Sequence, residues 1–226
     1  MLFFLFGCTQ NTPENTLRLS NGTEPESLDP HYCSSVSCFR VLSGLFEGLT
    51  LRGHNKTEVR PGVAINWEVS DDKMTYTFLL RDAKWSDGAK ITAMDFVQSW
   101  QRLVDPKTAS PYSFLLSHVL NFAHIQNQSL PADSLGVKAL NDSTLSVSLS
   151  APQSYFLDIV SLEPTFPIPV SNLPLAKDWT NPQKIRSNGP YTLQKWEQHS
   201  QIVLEKNPLY WDVKEKQIQK IIFYPN

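Results

Sequence analysis

Sixteen prolines run through these 226 residues, against nine glycines. A proline has no amide to donate and clashes with the preceding turn of a helix, so helices here must be short and fall between prolines. That excludes a helical bundle and predicts long ordered loops, turns and edge strands. Between the prolines the apolar period switches repeatedly between 2 and 3.6. Residues 17–20 read as a strand that turns at Asn21-Gly22, and residues 36–46 have helical spacing at Val36, Phe39, Leu42, Leu45 and Phe46. A strand opens at Leu49, and residues 74–80 alternate as a strand with two unlike faces does. Thr92 and Asp95 form a variant capping box before a stripe of Phe96, Trp100 and Leu103, which Asp105-Pro106 ends.

Further along, the spacing predicts one helix over 113–124 and a hairpin of residues 137–140 and 144–149 around Asn141-Asp142. A helix follows over 155–162. Pro164, Pro167, Pro169 and Pro174 mark an extended crossing, and strands are expected at 191–196, 201–206 and 217–224. The class is α+β, with a sheet-and-helix unit in the middle and a second sheet begun at both ends.

Twenty Lys+Arg against 22 Asp+Glu give a net charge of −2, without the basic footprint of a nucleic-acid binder. No stretch of 18 apolar residues exists that could span a membrane as a helix. Residues 1–7 are nevertheless apolar and lead to Cys8 and a polar, turn-rich stretch. This resembles the end of a bacterial lipoprotein signal, with Cys8 as the lipidated residue; the alternative is an apolar N-terminus without a lipid. The basic region that opens such a signal is missing, so either the chain starts downstream of the full signal or the segment is a vestige. Cys33 and Cys38 are too few for a zinc site. In an exported protein they form a small-loop disulfide, or else they are two buried thiols. No phosphate loop, dinucleotide fingerprint, zinc-protease helix or nucleophile elbow occurs. The five histidines are scattered, and nothing supports a hydrolase triad, so neither cofactor nor metal is expected.

Residues 64–102 carry a longer signature: Ala64-Ile65-Asn66-Trp67, then Ser70-Asp71-Asp72-Lys73-Met74-Thr75-Tyr76-Thr77-Phe78, Trp85-Ser86-Asp87-Gly88, Ile91-Thr92-Ala93-Met94-Asp95-Phe96 and Ser99-Trp100-Gln101-Arg102. Flanking it are Ser27-Leu28-Asp29-Pro30-His31, Leu45-Phe46-Glu47-Gly48-Leu49, Asn188-Gly189-Pro190-Tyr191 and Asn207-Pro208-Leu209-Tyr210-Trp211. In this order the motifs resemble family 5 extracytoplasmic solute-binding proteins, over nearly everything from Leu17 onward. The resemblance implies a periplasmic binding protein-like fold with two lobes and an inserted domain. Residues 1–16 would be a signal remnant and tether, 17–46 the start of the first lobe, 47–165 the inserted domain, and 166–226 the return to the first lobe. The chain would end before the second large lobe.

The implied function is peptide binding for an ABC oligopeptide importer, not catalysis. The implied partners are an oligopeptide, the importer's permease subunits and a separately encoded second lobe, in the periplasm or cell envelope. The alternative is a non-binding relic of a shortened gene. Carried over residue by residue, the ligand-binding positions are the segment of Tyr32, Ser34 and Val36, together with Tyr112 after Ser110-Pro111. Ser34 and Val36 also fit a plain helix entry, and Tyr112 a loop aromatic packed on its own domain. Trp85, Phe96 and Trp100 read as core.

Overall fold

The computed structural model describes residues 15–53, 58–169, 175–213 and 218–225. Cys8 and Pro174 lie outside these residues. Strand β1 (Thr16–Gly22) leads through a loop to helix α1 (Val36–Leu45). Short strands β2 (Thr50–Arg52) and β3 (Val59–Pro61) pair with each other before β4 (Ala64–Val69) and β5 (Thr75–Leu80). Helix α2 (Ala93–Val104), the short helix α3 (Phe122–Gln126), strands β6 (Val137–Asn141) and β7 (Thr144–Ser148), and the single turn α4 (Phe156–Ile159) complete the middle of the chain. Strands β8 (Tyr191–Glu197), β9 (Gln201–Lys206) and β10 (Lys220–Pro225) close it.

Two four-stranded sheets result, in the orders β1-β10-β9-β8 and β4-β5-β7-β6. The first joins the two ends of the chain: β1 runs parallel to β10, with Leu17 opposite Ile221 and Leu19 opposite Phe223. Parallel neighbours need a long crossover, and here the whole middle of the chain supplies it. The expected turn at Asn21-Gly22 is instead the end of β1. The pairing shifts there, and Gly22 takes φ +78°, a conformation open to glycine. The partner strand already satisfies this backbone, so the turn signal is overridden.

Helix α2 begins as its capping box requires. Both the amide and the hydroxyl of Thr92 donate to Asp95 Oδ2, at 2.7 and 3.0 Å. Its stripe of Phe96, Trp100 and Leu103 is buried, and Trp100 Nε1 donates to the Thr165 carbonyl at 2.8 Å.

The single helix expected over 113–124 is not formed. A 3-10 turn (Ser113–Leu116) and α3 are separated by two turns around a single bridging residue: Val119 bridges to Leu149 and the Leu120 amide donates to the Ser148 carbonyl at 2.9 Å. Gly136 closes this junction. A Cβ there would lie 2.6 Å from the Leu120 Cβ and 2.8 Å from the Ser148 carbonyl oxygen. The helix expected over 155–162 shrinks to α4 and a 3-10 turn (Glu163–Thr165) with Pro164 near its start. One apolar cluster runs through all three stretches of chain, from Leu42, Leu45 and Phe46 through Phe78, Phe96 and Trp100 to Phe166, Leu204 and Phe223.

Candidate functional site

The candidate segment enters α1 from a turn built on Asp29, whose carbonyl accepts from the amides of Tyr32 and Cys33 at 3.0 and 3.1 Å. The Asp29 side chain is buried. Arg102 of α2 grips it with both nitrogens, at 3.0 and 2.7 Å, and Trp179 Nε1 donates to it at 3.1 Å. Burial works against its ionisation, but the Arg102 hydrogen bonds and charge outweigh it and hold the carboxyl below its usual range.

His31 is fully buried, and burial pushes its pKa down to about 3, helped by Arg102 and opposed by Asp29. Its Nδ1 lies 2.6 Å from Arg102 Nη1, a donor, so Nδ1 accepts and the proton sits on Nε2. Nε2 faces Ser99 Oγ at 3.3 Å, and that hydroxyl donates to the Phe166 carbonyl at 3.0 Å. The network ties the loop before α1 to α2 and to the chain beyond residue 165.

On this support the predicted residues are presented outward. Tyr32 is 45% exposed, its ring 5.3 Å from the Arg102 guanidinium. A cavity of about 280 Å³ beside it is lined by Asp29, Arg102, Lys177 and Trp179, among others. Ser34 and Ser35 are held by Glu26. Its Oε1 accepts from the Ser34 amide, the Ser34 hydroxyl (2.8 Å) and the Ser35 amide (2.9 Å), and its Oε2 from the Ser35 hydroxyl (2.5 Å). Partial burial opposes ionisation of Glu26, yet the hydrogen bonds from Ser35 and Ser34 bring its pKa down to about 2.

Ser35 caps α1, its hydroxyl accepting from the Cys38 amide at 3.2 Å. Val36 is 72% exposed, and its amide has no acceptor among the described residues. Cys33 and Cys38, Cα atoms 5.9 Å apart, are paired as a disulfide that brackets this stretch.

Tyr112 reaches the same helix. Its ring meets Phe39 edge-on at 5.5 Å and Phe114, 56% exposed, at 5.8 Å. Phe39 lies three residues after Val36, on one face of α1. The fold thus brings Tyr112 to α1 beside the Tyr32–Val36 segment, from far along the chain. Sequence reasoning missed Glu26, Phe39 and Arg102. The run Leu28-Asp29-Pro30-His31 flagged the loop, but no local signal pairs it with an arginine on α2.

An α+β fold whose first sheet pairs the first strand with the last, and whose loop into α1 presents Tyr32, Ser34 and Val36 outward, is that of the periplasmic binding proteins. The family described as bacterial extracellular solute-binding proteins, family 5 Middle, matches residues 58–226, and the chain belongs to this family. The periplasmic oligopeptide-binding protein OppA of Salmonella typhimurium is 44% identical over 223 residues, 96% of this chain and 40% of that protein. The periplasmic murein peptide-binding protein MppA of Escherichia coli is 39% identical over 89% of this chain and 38% of its own length. Among solved structures, unliganded open MppA superposes with a TM-score of 0.90 at 37% identity, over 95% of this chain and 42% of that one. Haemophilus influenzae OppA in complex with RPPGFSPFR gives 0.89 at 36% identity, over 94% and 42%. The chain spans about 40% of the length of the curated relatives it matches.

Proposed function

We propose that this chain carries one face of the peptide site of an ABC oligopeptide importer's binding protein, working in the periplasm or cell envelope. The observation that carries this reading is the exposed entry to α1: Val36 with an amide that has no acceptor among the described residues, Tyr32 outward, and Tyr112 packed alongside. An extended peptide laid along 34–36 would find a backbone donor and an apolar floor of Val36, Tyr112 and Phe114. The peptide-binding names of the relatives support the same cargo class. Lipidation at Cys8 would tether the protein, the bracket at Cys33–Cys38 suits an oxidising compartment, and the importer's permease would receive the cargo. A facing lobe would complete the site.

A pocket that holds its ligand well encloses roughly 70–90% of the ligand's surface. One face alone should therefore bind at millimolar strength or weaker, against the micromolar range, near −8 kcal/mol, of a working receptor. The test is a titration of this chain with a tri- to pentapeptide pool, followed by amide chemical shifts. Shifts centred on residues 32–36 and 112, with weak saturation, support the reading. Shifts elsewhere, or none at about 10 mM peptide, overturn it.

A further inference from the structure

We propose that Glu26 is a charge-selecting residue of the peptide site, so that the chain favours peptides with a cationic side chain over the 34–36 segment. The inference rests on the peptide-binding reading above and adds the chemistry of the preferred cargo. Four donors converge on the Glu26 carboxylate, two amides and two hydroxyls from Ser34 and Ser35, and all four are neutral. They fix the carboxylate in place without cancelling its charge.

The amino end of α1 contributes a partial positive charge of about one half, which leaves a net negative site. On the inner side the carboxylate faces sulfur: its oxygen and the Cys33 and Cys38 Sγ atoms lie within 4.8 Å of one another. No lysine, arginine or histidine forms an ion pair with Glu26 among the described residues, whereas nearby Asp29 is matched by Arg102. The side chain is also exposed on the stretch where the proposed peptide lies. A carboxylate already oriented and ionised needs no reorganisation to receive an ammonium or guanidinium group. Its hydrogen bonds keep it charged across the physiological range.

Glu26→Gln removes the charge and keeps most of the geometry, because the amide oxygen still accepts from the Ser34 amide, the Ser34 hydroxyl and the Ser35 amide, and only the Ser35 hydroxyl loses its acceptor. Ala-Lys-Ala and Ala-norleucine-Ala are titrated into the full chain and into the variant, with amide shifts of residues 34–36 as the readout. The wild type should bind the lysine peptide about five-fold more tightly at low salt, the scale of a partly exposed ion pair. The preference should fade at about 0.5 M salt, where screening is short-ranged. It should vanish in Glu26→Gln, with the norleucine affinity unchanged. Glu26→Asp, which keeps the charge, must keep the preference, so a folding defect in the glutamine variant cannot pass for the effect. Equal binding of both peptides by the wild type, or a lysine preference that survives in Glu26→Gln, overturns the proposal. If neither peptide shifts residues 34–36 in any variant, the peptide-binding reading fails and takes this one with it, a pattern distinct from equal binding.

Discussion

Trp100 has no exposed surface; its ring meets Phe156 edge-on at 6.4 Å, and its indole N–H is spent on the Thr165 carbonyl. Truncation removes a buried aromatic and orphans a buried acceptor, so Trp100→Ala should cost about 3–5 kcal/mol, read as a lowered urea midpoint. Glu47 makes a different kind of residue-scale prediction. Its carboxylate accepts from Tyr210 OH and from Trp211 Nε1 (2.8 Å), and the Arg81 guanidinium lies 3.5 Å from the Trp211 ring centroid. Burial nevertheless lifts its pKa from 4.5 to about 7. The Tyr210 and Trp211 hydrogen bonds and the Arg81 charge oppose the rise, and Asp212 adds to it. The folded-state value lies above the unfolded one, so this contribution to stability is fully present below about pH 4.5 and is lost as pH rises through about 7. The total is on the order of 3 kcal/mol. Glu47→Gln should flatten that part of the stability-versus-pH curve, measured by urea unfolding between about pH 5 and 8; an unchanged slope would refute it. The raised value could not be read from Leu45-Phe46-Glu47-Gly48-Leu49. Tyr210 and Trp211 enter from the far end of the chain, and the burial is tertiary.

Among the elements, α2 was legible because everything that makes it is local. Its cap and its capping carboxylate stand three residues apart, its apolar stripe repeats within a turn or so, and Asp105-Pro106 ends it. Residues 113–124 carried equally good helical spacing, yet Val119 and Leu120 were captured by the C-terminal end of β7, at Ser148 and Leu149, and spacing cannot register that competing strand. The entry to α1 lies between these cases. Its helix was predicted and its candidate residues were named, but the order of its first turn comes from Glu26 and from the Cys33–Cys38 bracket. Closing so small a loop constrains the unfolded chain by about 2 kcal/mol on the chain-entropy account. Cys33→Ala with Cys38→Ala should lower stability by about that amount and speed exchange of the Ser34 and Ser35 amides, both held by Glu26, above all. Uniform acceleration across the chain, or none at these two, would count against a local brace.

At the scale of the molecule, the middle stretch 47–165 owns a complete four-stranded sheet and the helix packed on it. We expect it to fold alone with a cooperative thermal transition, but at a lower temperature than the full chain. Alone it would lose the Asp29 partner of Arg102 and the Phe166 acceptor of Ser99, and it would bare part of a core that continues into both flanks. A broad, non-cooperative melt would show that the flanking segments are required. The two-sheet plan was readable in outline because strands, turns and the capped helix announce themselves over a few residues, and the order of the motifs placed the family. The parallel pairing of β1 with β10 had no such announcement, nor did the clasp of Asp29 by Arg102 or the seating of Tyr112 against Phe39. Each joins residues far apart in the chain. Burial of the intervening core brings such partners within a few ångströms, and short-range periodicity carries no information about distances set that way.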